Sequence, residues 1–253
     1  MTETKSPGVV IVTGGGRGIG AATARLAAAR GYDVCVNFRS DEAAALRVVD
    51  AIRDAGGRAI AVAADVSKEA DVISLFDRAV KQFGALTALV NNAGILERQG
   101  RLDEMDAARL ERVFATNITG AFLCAREAVR RMSTRHGGHG GAIVNVSSIA
   151  ASLGAPGEYV DYAASKGAVD TLTIGLAKEV AEEGIRVNAV RPGVIYTGIH
   201  ASGGEPARVD RVKAAVPMRR GGQPEEVARA ILWLLSAEAS YSTGTFIDVS
   251  GGR

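Results

Sequence analysis

Seven short apolar runs recur along the chain, and none of them alternates apolar with polar residues. They are VVIVT (9–13), DVCVNF (33–38), AIAVA (59–63), LTALVN (86–91), AIVNVS (142–147), RVNAV (186–190) and TFIDV (245–249). A strand with one wet face alternates, whereas a strand covered on both faces reads as a continuous β-branched run. Between the runs lie amphipathic stretches at roughly 18–30, 41–55, 68–83, 106–134, 161–183 and 224–236, which read as helices. Buried strands in regular alternation with helices predict an α/β fold, a doubly wound seven-stranded parallel sheet with helices on both faces. No linker or composition break divides the 253 residues, so 1–253 is expected to be a single domain. One segment, 197–222, is rich in Gly, Arg and Pro and breaks the alternation. It reads as a functional or mobile loop.

Composition narrows the classes of function. Hydrophobic residues make up 47% and charged residues 23%, as in a globular chain. A net charge of +2 gives no argument for nucleic acid or an anionic membrane as partner. Cys35 and Cys124 lie far apart in apolar stretches with no CxxC pattern, which suits a reducing compartment. The opening MTETKSPG lacks the basic-then-apolar pattern of a leader. No apolar run approaches the ~20 residues of a membrane span. The expected location is the cytoplasm. His136 and His139 in RHGGHGG lack further ligands at a metal-binding spacing, so no metal is expected.

The first run leads directly into Thr13-Gly-Gly-Gly-Arg-Gly-Ile-Gly20 and then a helix. Glycines there let the backbone approach a pyrophosphate, and the helix N-terminus supplies free N–H groups and a favourable dipole. The spacing is T-G-x-x-x-G-x-G, with Gly14, Gly18 and Gly20, rather than the commoner G-x-G-x-x-G. Nucleotide choice is read at the end of the second strand, where an acidic residue would bond the ribose 2′-hydroxyl of NAD. Phe38-Arg39-Ser40 stands there instead. Arg39 is suited to a 2′-phosphate, with Ser40 bonding it and Arg17 helping from the turn, so NADP is the expected cofactor. Asp41 and Glu42 come later, and a shifted loop would bring one of them into the hydroxyl role, which leaves NAD possible.

Tyr162 and Lys166 stand four residues apart in DYAASKG, one above the other on a helix face. A phenol has a pKa near ~10 and is a poor base alone. A neighbouring ammonium would favour the phenolate and lower that pKa, making the tyrosine an acid–base group. Tyr159, by contrast, stands four residues before Ala163.

Taken in order, the Gly14/Gly18/Gly20 turn, Asp65-Val66, Asn91-Asn92-Ala93-Gly94, Asn117, Ser148, Tyr162-x-x-x-Lys166 and Pro192-Gly193 resemble the classical short-chain dehydrogenase/reductase family over essentially the whole chain. The resemblance implies a Rossmann fold and an NADP(H)-preferring oxidoreductase that interconverts a carbonyl and a secondary alcohol. It implies that Tyr162 is the acid–base residue, that Lys166 lowers its pKa and bonds the nicotinamide ribose, and that Ser148 donates a hydrogen bond to the substrate oxygen. Asn117 would hold a water linking Lys166 to solvent. Ser147 is adjacent, and the two serines point opposite ways on an extended segment. Ser148 lies fourteen residues before Tyr162, one more than the family spacing, and an insertion within GAPGEYVDY restores the match.

For the cofactor, the resemblance implies contacts from Gly14, Gly18, Ile19 and Gly20, from Asp65 and Val66 at the adenine, and from Asn91, Ala93 and Gly94 near its ribose, with the Asn91–Gly94 turn also bracing the sheet. Pro192 and Gly193 would re-aim the chain, so that Ile195 and Thr197 reach the carboxamide and phosphate. A mobile lid at approximately 197–220 would determine the small-molecule substrate, and the assembly would be a homotetramer. His200 reads as a solvent-facing residue of that lid, with Arg208, Arg211, Lys213, Arg219 and Arg220 making the segment basic. Trp233 is expected on the apolar side of the last helix, in the core or at a subunit interface. Two other readings stay open: a sugar dehydrogenase of the glucose type, and a non-catalytic NADP-binding regulatory protein.

Overall fold

The computed structural model describes residues 7–253, so the leader reading rests largely on residues that lie outside the described ones. The elements in order are β1 (Val9–Val12), α1 (Gly18–Ala29), β2 (Asp33–Phe38), α2 (Glu42–Asp54), β3 (Ala59–Ala63), α3 (Glu69–Phe83) and β4 (Leu86–Asn91). There follow α4 (Ala107–Phe114), α5 (Gly120–Met132), β5 (Gly141–Val146), α6 (Ala150–Leu153), α7 (Val160–Glu179) and β6 (Ile185–Pro192). The chain ends with α8 (Ile199–Ser202), α9 (Arg208–Val212), α10 (Pro224–Leu235) and β7 (Phe246–Val249). All seven apolar runs are strands. They pair in parallel in the order β3-β2-β1-β4-β5-β6-β7. This is a Rossmann fold, with the strand order reversing between β1 and β4.

The non-alternating pattern has a direct cause in β1. Val10 and Val12 pack with α1, α2 and α10 on one face, while Val9 and Ile11 pack with α3, α5 and α7 on the other. Each strand residue therefore enters one of two apolar cores, and no position faces water.

Three expectations need correction. The helix expected at 106–134 is α4 and α5 joined by a π-helical turn, Ala115–Thr119. Such a turn has a wider backbone than an α-helix and is common at functional sites. The irregular segment after β6 folds into α8, α9 and a 3-10 turn at Lys213–Ala215. Trp233 is not in the core; it is 37% exposed. At 3.6 residues per turn it falls opposite Val227, Ile231 and Leu234, which are buried. Among the described residues no helix is long and apolar enough to cross a membrane.

Two glycine substitutions test this packing in opposite directions. A Cβ on Gly20 would lie 2.6 Å from Asn92 Nδ2 and closer still to the Gly14 carbonyl. Gly20→Ala should cost about 1–3 kcal/mol. Gly175, exposed on α7, has nothing within 4 Å of such an atom. Gly175→Ala should gain about 0.4–1 kcal/mol by restricting the unfolded chain. Thermal melts of the two variants should move to opposite sides of the wild type.

Candidate active site

The carboxyl ends of β1 to β6 open into one cleft of ≈ 340 Å³. Polar side chains fix its floor. Thr13 Oγ1 accepts from the Asn92 and Ala93 N–H groups at 2.9 and 3.0 Å. The Asn92 amide donates back to the Thr13 and Gly14 carbonyls at 2.8 and 3.2 Å. Asn37 Oδ1 accepts from Gly14 N, and its amide donates to the Ala64 carbonyl at 3.0 Å, tying the ends of β1, β2 and β3 together. Gly14 and Gly18 have φ of 60° and 53°, the left-handed region that favours glycine. Arg17 before α1 is extended, no side chain caps the helix, and no acid lies in its first turn. The helix therefore presents unspent N–H groups and positive potential to the cleft.

Arg17, Arg39 and Ser40 line the cleft beside this turn. Neither arginine is in an ion pair among the described residues. Asp65 lies beyond them. Burial would raise its pKa, but hydrogen bonds from the Ser67 hydroxyl and N–H outweigh that and hold it below the usual carboxylate value. Phe38, Val66, Ala93 and Gly94 also line the cleft. Two expected contacts do not. The Asn91 amide is buried and donates to the Ala121 carbonyl at 2.8 Å and to Asn145 at 3.3 Å, so it braces β4 from beneath. Gly20 packs against the turn rather than facing the cleft. Asn92 and Asn37, which the sequence reading did not place in the site, line it. Their signal was a polar residue at the end of a buried strand.

The residues expected to be catalytic gather at β5 and α7. Ser147 turns inward and its hydroxyl donates to the Lys166 carbonyl at 3.2 Å. Ser148 turns into the cleft and hydrogen-bonds Tyr162. Both serines border the cleft, but the Ser147 hydroxyl is spent on the helix backbone while that of Ser148 is left to Tyr162. Lys166 is 4% exposed, and its ammonium donates to the Val146 carbonyl at 2.8 Å. Asn117, in the π-helical turn, accepts from Ile95 N at 2.8 Å and donates to the Ile95 carbonyl and to Ser165 Oγ. Asn117 does not line the cleft itself. A Cβ on Gly94 would lie 3.5 Å from Asn117 Oδ1 and 3.6 Å from Lys166 Nζ. The missing side chain leaves a space that both polar groups border.

The acid–base tuning differs from the expectation. Burial pushes the Tyr162 phenol up to about 12, with the Ser148 hydrogen bond pulling the other way. The Lys166 ammonium sits 5.6 Å from the tyrosine ring centre and is spent on Val146. Burial lowers Lys166 to about 8, against the pull of the Asp170 carboxylate. Desolvation of both groups outweighs their mutual effect in the protein alone.

On the substrate side, Pro192, Gly193, Ile195 and Thr197 carry the chain past the cleft. A Cβ on Gly193 would come within 2.7 Å of Ser250 Cα, so the turn requires glycine there. Thr197 packs across the cleft toward Gly18. The segment that follows is latched: both Arg208 nitrogens donate to Glu158, at 2.9 and 2.6 Å. His200 does not face solvent; its ring lines the cleft and bonds the Ile195 carbonyl at 3.0 Å. Much of the basic character is neutralised locally. Arg211 pairs with Glu205, Lys213 with Asp210 and Arg220 with Glu226. Among the described residues no cluster of three or more His, Cys, Asp or Glu could hold a metal ion.

Residues 14–253 match the family described as Enoyl-(Acyl carrier protein) reductase. The crystal structure of a short chain dehydrogenase from Burkholderia cenocepacia J2315 in complex with NADP superposes with a TM-score of 0.90 at 33% identity, covering 98% of each chain. The chain belongs to the short-chain dehydrogenase/reductase family. Among its relatives, the uncharacterized oxidoreductase YgfF of Escherichia coli (strain K12) is 60% identical over 97% of this chain and 99% of its own. The 3beta-hydroxysteroid dehydrogenase 1 of Eggerthella lenta is 44% identical over 96% and 92%. This short-chain dehydrogenase/reductase is accordingly an NAD(P)-dependent enzyme acting on CH–OH groups.

Lys166 gives the dehydrogenase a pH signature. Its folded pKa lies below the unfolded value of 10.5, so the unfolded chain binds more protons between about 8 and 10.5. Stability from this group therefore rises with pH through that window. The stability difference between wild type and Lys166→Met should move in favour of the wild type from pH 8 to pH 10, measured by urea unfolding. A difference that does not change with pH would mean Lys166 is not depressed.

Proposed function

We propose that this enzyme is an NADP(H)-preferring dehydrogenase/reductase that interconverts a ketone and a secondary alcohol with Tyr162 as the acid–base residue. The observation that carries this reading is the convergence of Ser148, Tyr162 and Lys166 in the same cleft as an uncapped helix N-terminus flanked by Arg17 and Arg39. That cleft fits a dinucleotide: its turn needs Gly14 and Gly18 in left-handed conformations, and its rim holds two arginines without ion-pair partners. The backbone of Gly14 to Ile19 would hold the pyrophosphate, Arg39, Ser40 and Arg17 the 2′-phosphate, and Asp65 and Val66 the adenine. Ile195 and Thr197 would hold the carboxamide end.

When bound, the nicotinamide supplies or accepts the hydride. Tyr162 holds its proton firmly at neutral pH, which suits the donor role toward a carbonyl oxygen that gains charge. Ser148 adds a second donor at the same oxygen, placed before the charge develops. The space bordered by Gly94, Asn117 Oδ1 and Lys166 Nζ suits a water that returns a proton to the interior. In the alcohol direction Tyr162 must accept a proton. Lys166 would assist once a ribose hydroxyl or water draws its ammonium from Val146. The segment 197–220 acts as a lid, opened by release of the Arg208–Glu158 pair.

Two free, buried cysteines, whose thiols burial pushes up to about 12, support a reducing compartment such as the cytoplasm. Exposed Phe122, Ile174 and Trp233 support self-association, for which a homotetramer is our reading.

Tyr162→Phe should fold and bind NADPH yet lose turnover by about 10³-fold, and Ser148→Ala by about 10²-fold, read as NADPH absorbance with a panel of ketones. Full turnover in Tyr162→Phe would defeat the assignment. Arg39→Asp should raise the Kd for NADPH about tenfold or more relative to that for NADH, measured by fluorescence titration. Equal changes would place the 2′-phosphate elsewhere.

A further inference from the structure

Two polar groups on the substrate side of the cleft have no hydrogen-bond partner among the described residues. The first is the hydroxyl of Tyr159, a residue only 3% exposed. The second is Nδ1 of His200, also buried. His200 Nε2 lies 3.0 Å from the Ile195 carbonyl. A carbonyl only accepts, so Nε2 carries the proton and Nδ1 keeps a lone pair. Burial holds the imidazole below its usual pKa, so the ring stays neutral near pH 7. Both residues line the cleft. Neither has a part in the acid–base chemistry assigned to Tyr162.

Unpartnered buried polar groups are rare in folded proteins, and each calls for an explanation. Here the surroundings keep them in place. The Tyr159 ring lies 5.2 Å from the Arg208 guanidinium, which is itself forked onto Glu158. The ring is thus clamped and cannot turn away to find a partner. Gly203 keeps the space beside the hydroxyl open, because a Cβ there would lie 2.9 Å from Tyr159 Oη and 3.0 Å from Leu96 Cδ2. The same atom would lie 3.4 Å from the His200 carbonyl, so the α8 segment and the tyrosine meet at this glycine. The nearby wall is mixed: Leu96 and Val194 are both 8% exposed, and the paired Arg208 and Glu158 also line the cleft.

We propose that Tyr159 and His200 form a recognition subsite for a second hydroxyl on the substrate, remote from the carbon that reacts. This rests on the reading of Tyr162 as the reacting end. A hydroxyl is the group whose chemistry matches each of them: it can accept from the Tyr159 O–H and can donate to His200 Nδ1. A carboxylate would face the Nδ1 lone pair. An ammonium would sit beside the Arg208 cation. A plain carbonyl would satisfy only the tyrosine. With Leu96 and Val194 beside this pair and the Arg208 charge already paired with Glu158, the substrate class is a hydroxylated alicyclic or aliphatic ketone and the corresponding diol. A site built to bond a hydroxyl discriminates strongly against the analogue that lacks it, because its own polar groups are then left unpaired.

The test uses matched ketone pairs, cyclohexanone against 4-hydroxycyclohexanone and 2-decalone against its 6-hydroxy derivative, each reduced with NADPH. The wild type should favour the hydroxylated member by about tenfold or more in kcat/KM, and Tyr159→Phe and His200→Leu should each bring that ratio toward one. A wild-type ratio near one in both pairs, or a ratio that the variants leave intact, overturns the proposal. Two measurements read the subsite without turnover. Tyr159→Phe should melt at or above the wild-type temperature, since it removes an unpartnered buried hydroxyl; a fall of several degrees would reveal a structural partner and overturn the proposal. Saturation-transfer NMR should show the hydroxylated probes bound to the NADPH complex of Tyr162→Phe, and lost when Tyr159→Phe is added. Failure to reduce any of the four ketones, with that binding pattern intact, would count against the proposed reaction and not against the subsite.

Discussion

The hydrogen bonds between Thr13 and Asn92 hold the point on which the rest of the site depends. They join the ends of β1 and β4, the neighbours between which the strand order reverses. At such a reversal the flanking connections leave in opposite directions and open a crevice. The crevice keeps its shape only if the strand ends cannot splay. Thr13 and Asn92 prevent that with reciprocal bonds between side chain and backbone, and Asn37 extends the brace to β2 and β3. Gly20 lets α1 approach this brace closely. The glycine turn is therefore braced without a ligand, which would reduce the ordering cost of binding one.

The second half of the site is organised around burial rather than rigidity. Lys166 is held in a dry setting with one backbone partner, and Tyr162 is desolvated beside Ser148. Both groups are held toward their neutral forms, one by losing and one by keeping a proton. A site in this condition responds strongly to added charge or hydrogen bonds, because nearby dipoles act in a low dielectric. The buried Arg109–Asp161 pair, at 2.8 Å, anchors the start of α7 to α4, so the tyrosine approaches from a fixed helix. The α8–α9 segment is attached to the same end of that helix through Arg208 and Glu158, one residue before Tyr159.

Most of the architecture was legible because it depends on local pattern. Strands covered on both faces must be apolar throughout, and all seven were found within a residue or two of their expected bounds at most ends. The glycine turn was legible because left-handed backbone and close approach leave few alternatives to glycine. That Arg39 and Ser40 line the cleft followed from their position at the end of β2. What failed were statements about side-chain direction and solvation. Asn91 and Asn92 are adjacent with equal chemistry, yet one braces the sheet from beneath and the other lines the cleft. Trp233 was placed by its hydrophobicity, but helix phase set it opposite the buried stripe.

The sequence by itself determined the order of elements, the buried character of the sheet, the phosphate turn and the Tyr162/Lys166 spacing. Each of these is set by periodicity or by a backbone conformation that few residues tolerate. Tertiary structure alone decided that the Ser147 hydroxyl is spent on the Lys166 carbonyl, and that Tyr159 and His200, both in the cleft lining, carry buried unsatisfied atoms. It also decided that desolvation outweighs the lysine's effect on the tyrosine. These are properties of burial, and burial depends on contacts between segments distant in sequence. Tyr159 is brought against Gly203 and Arg208 only when the chain after β6 folds back over α7.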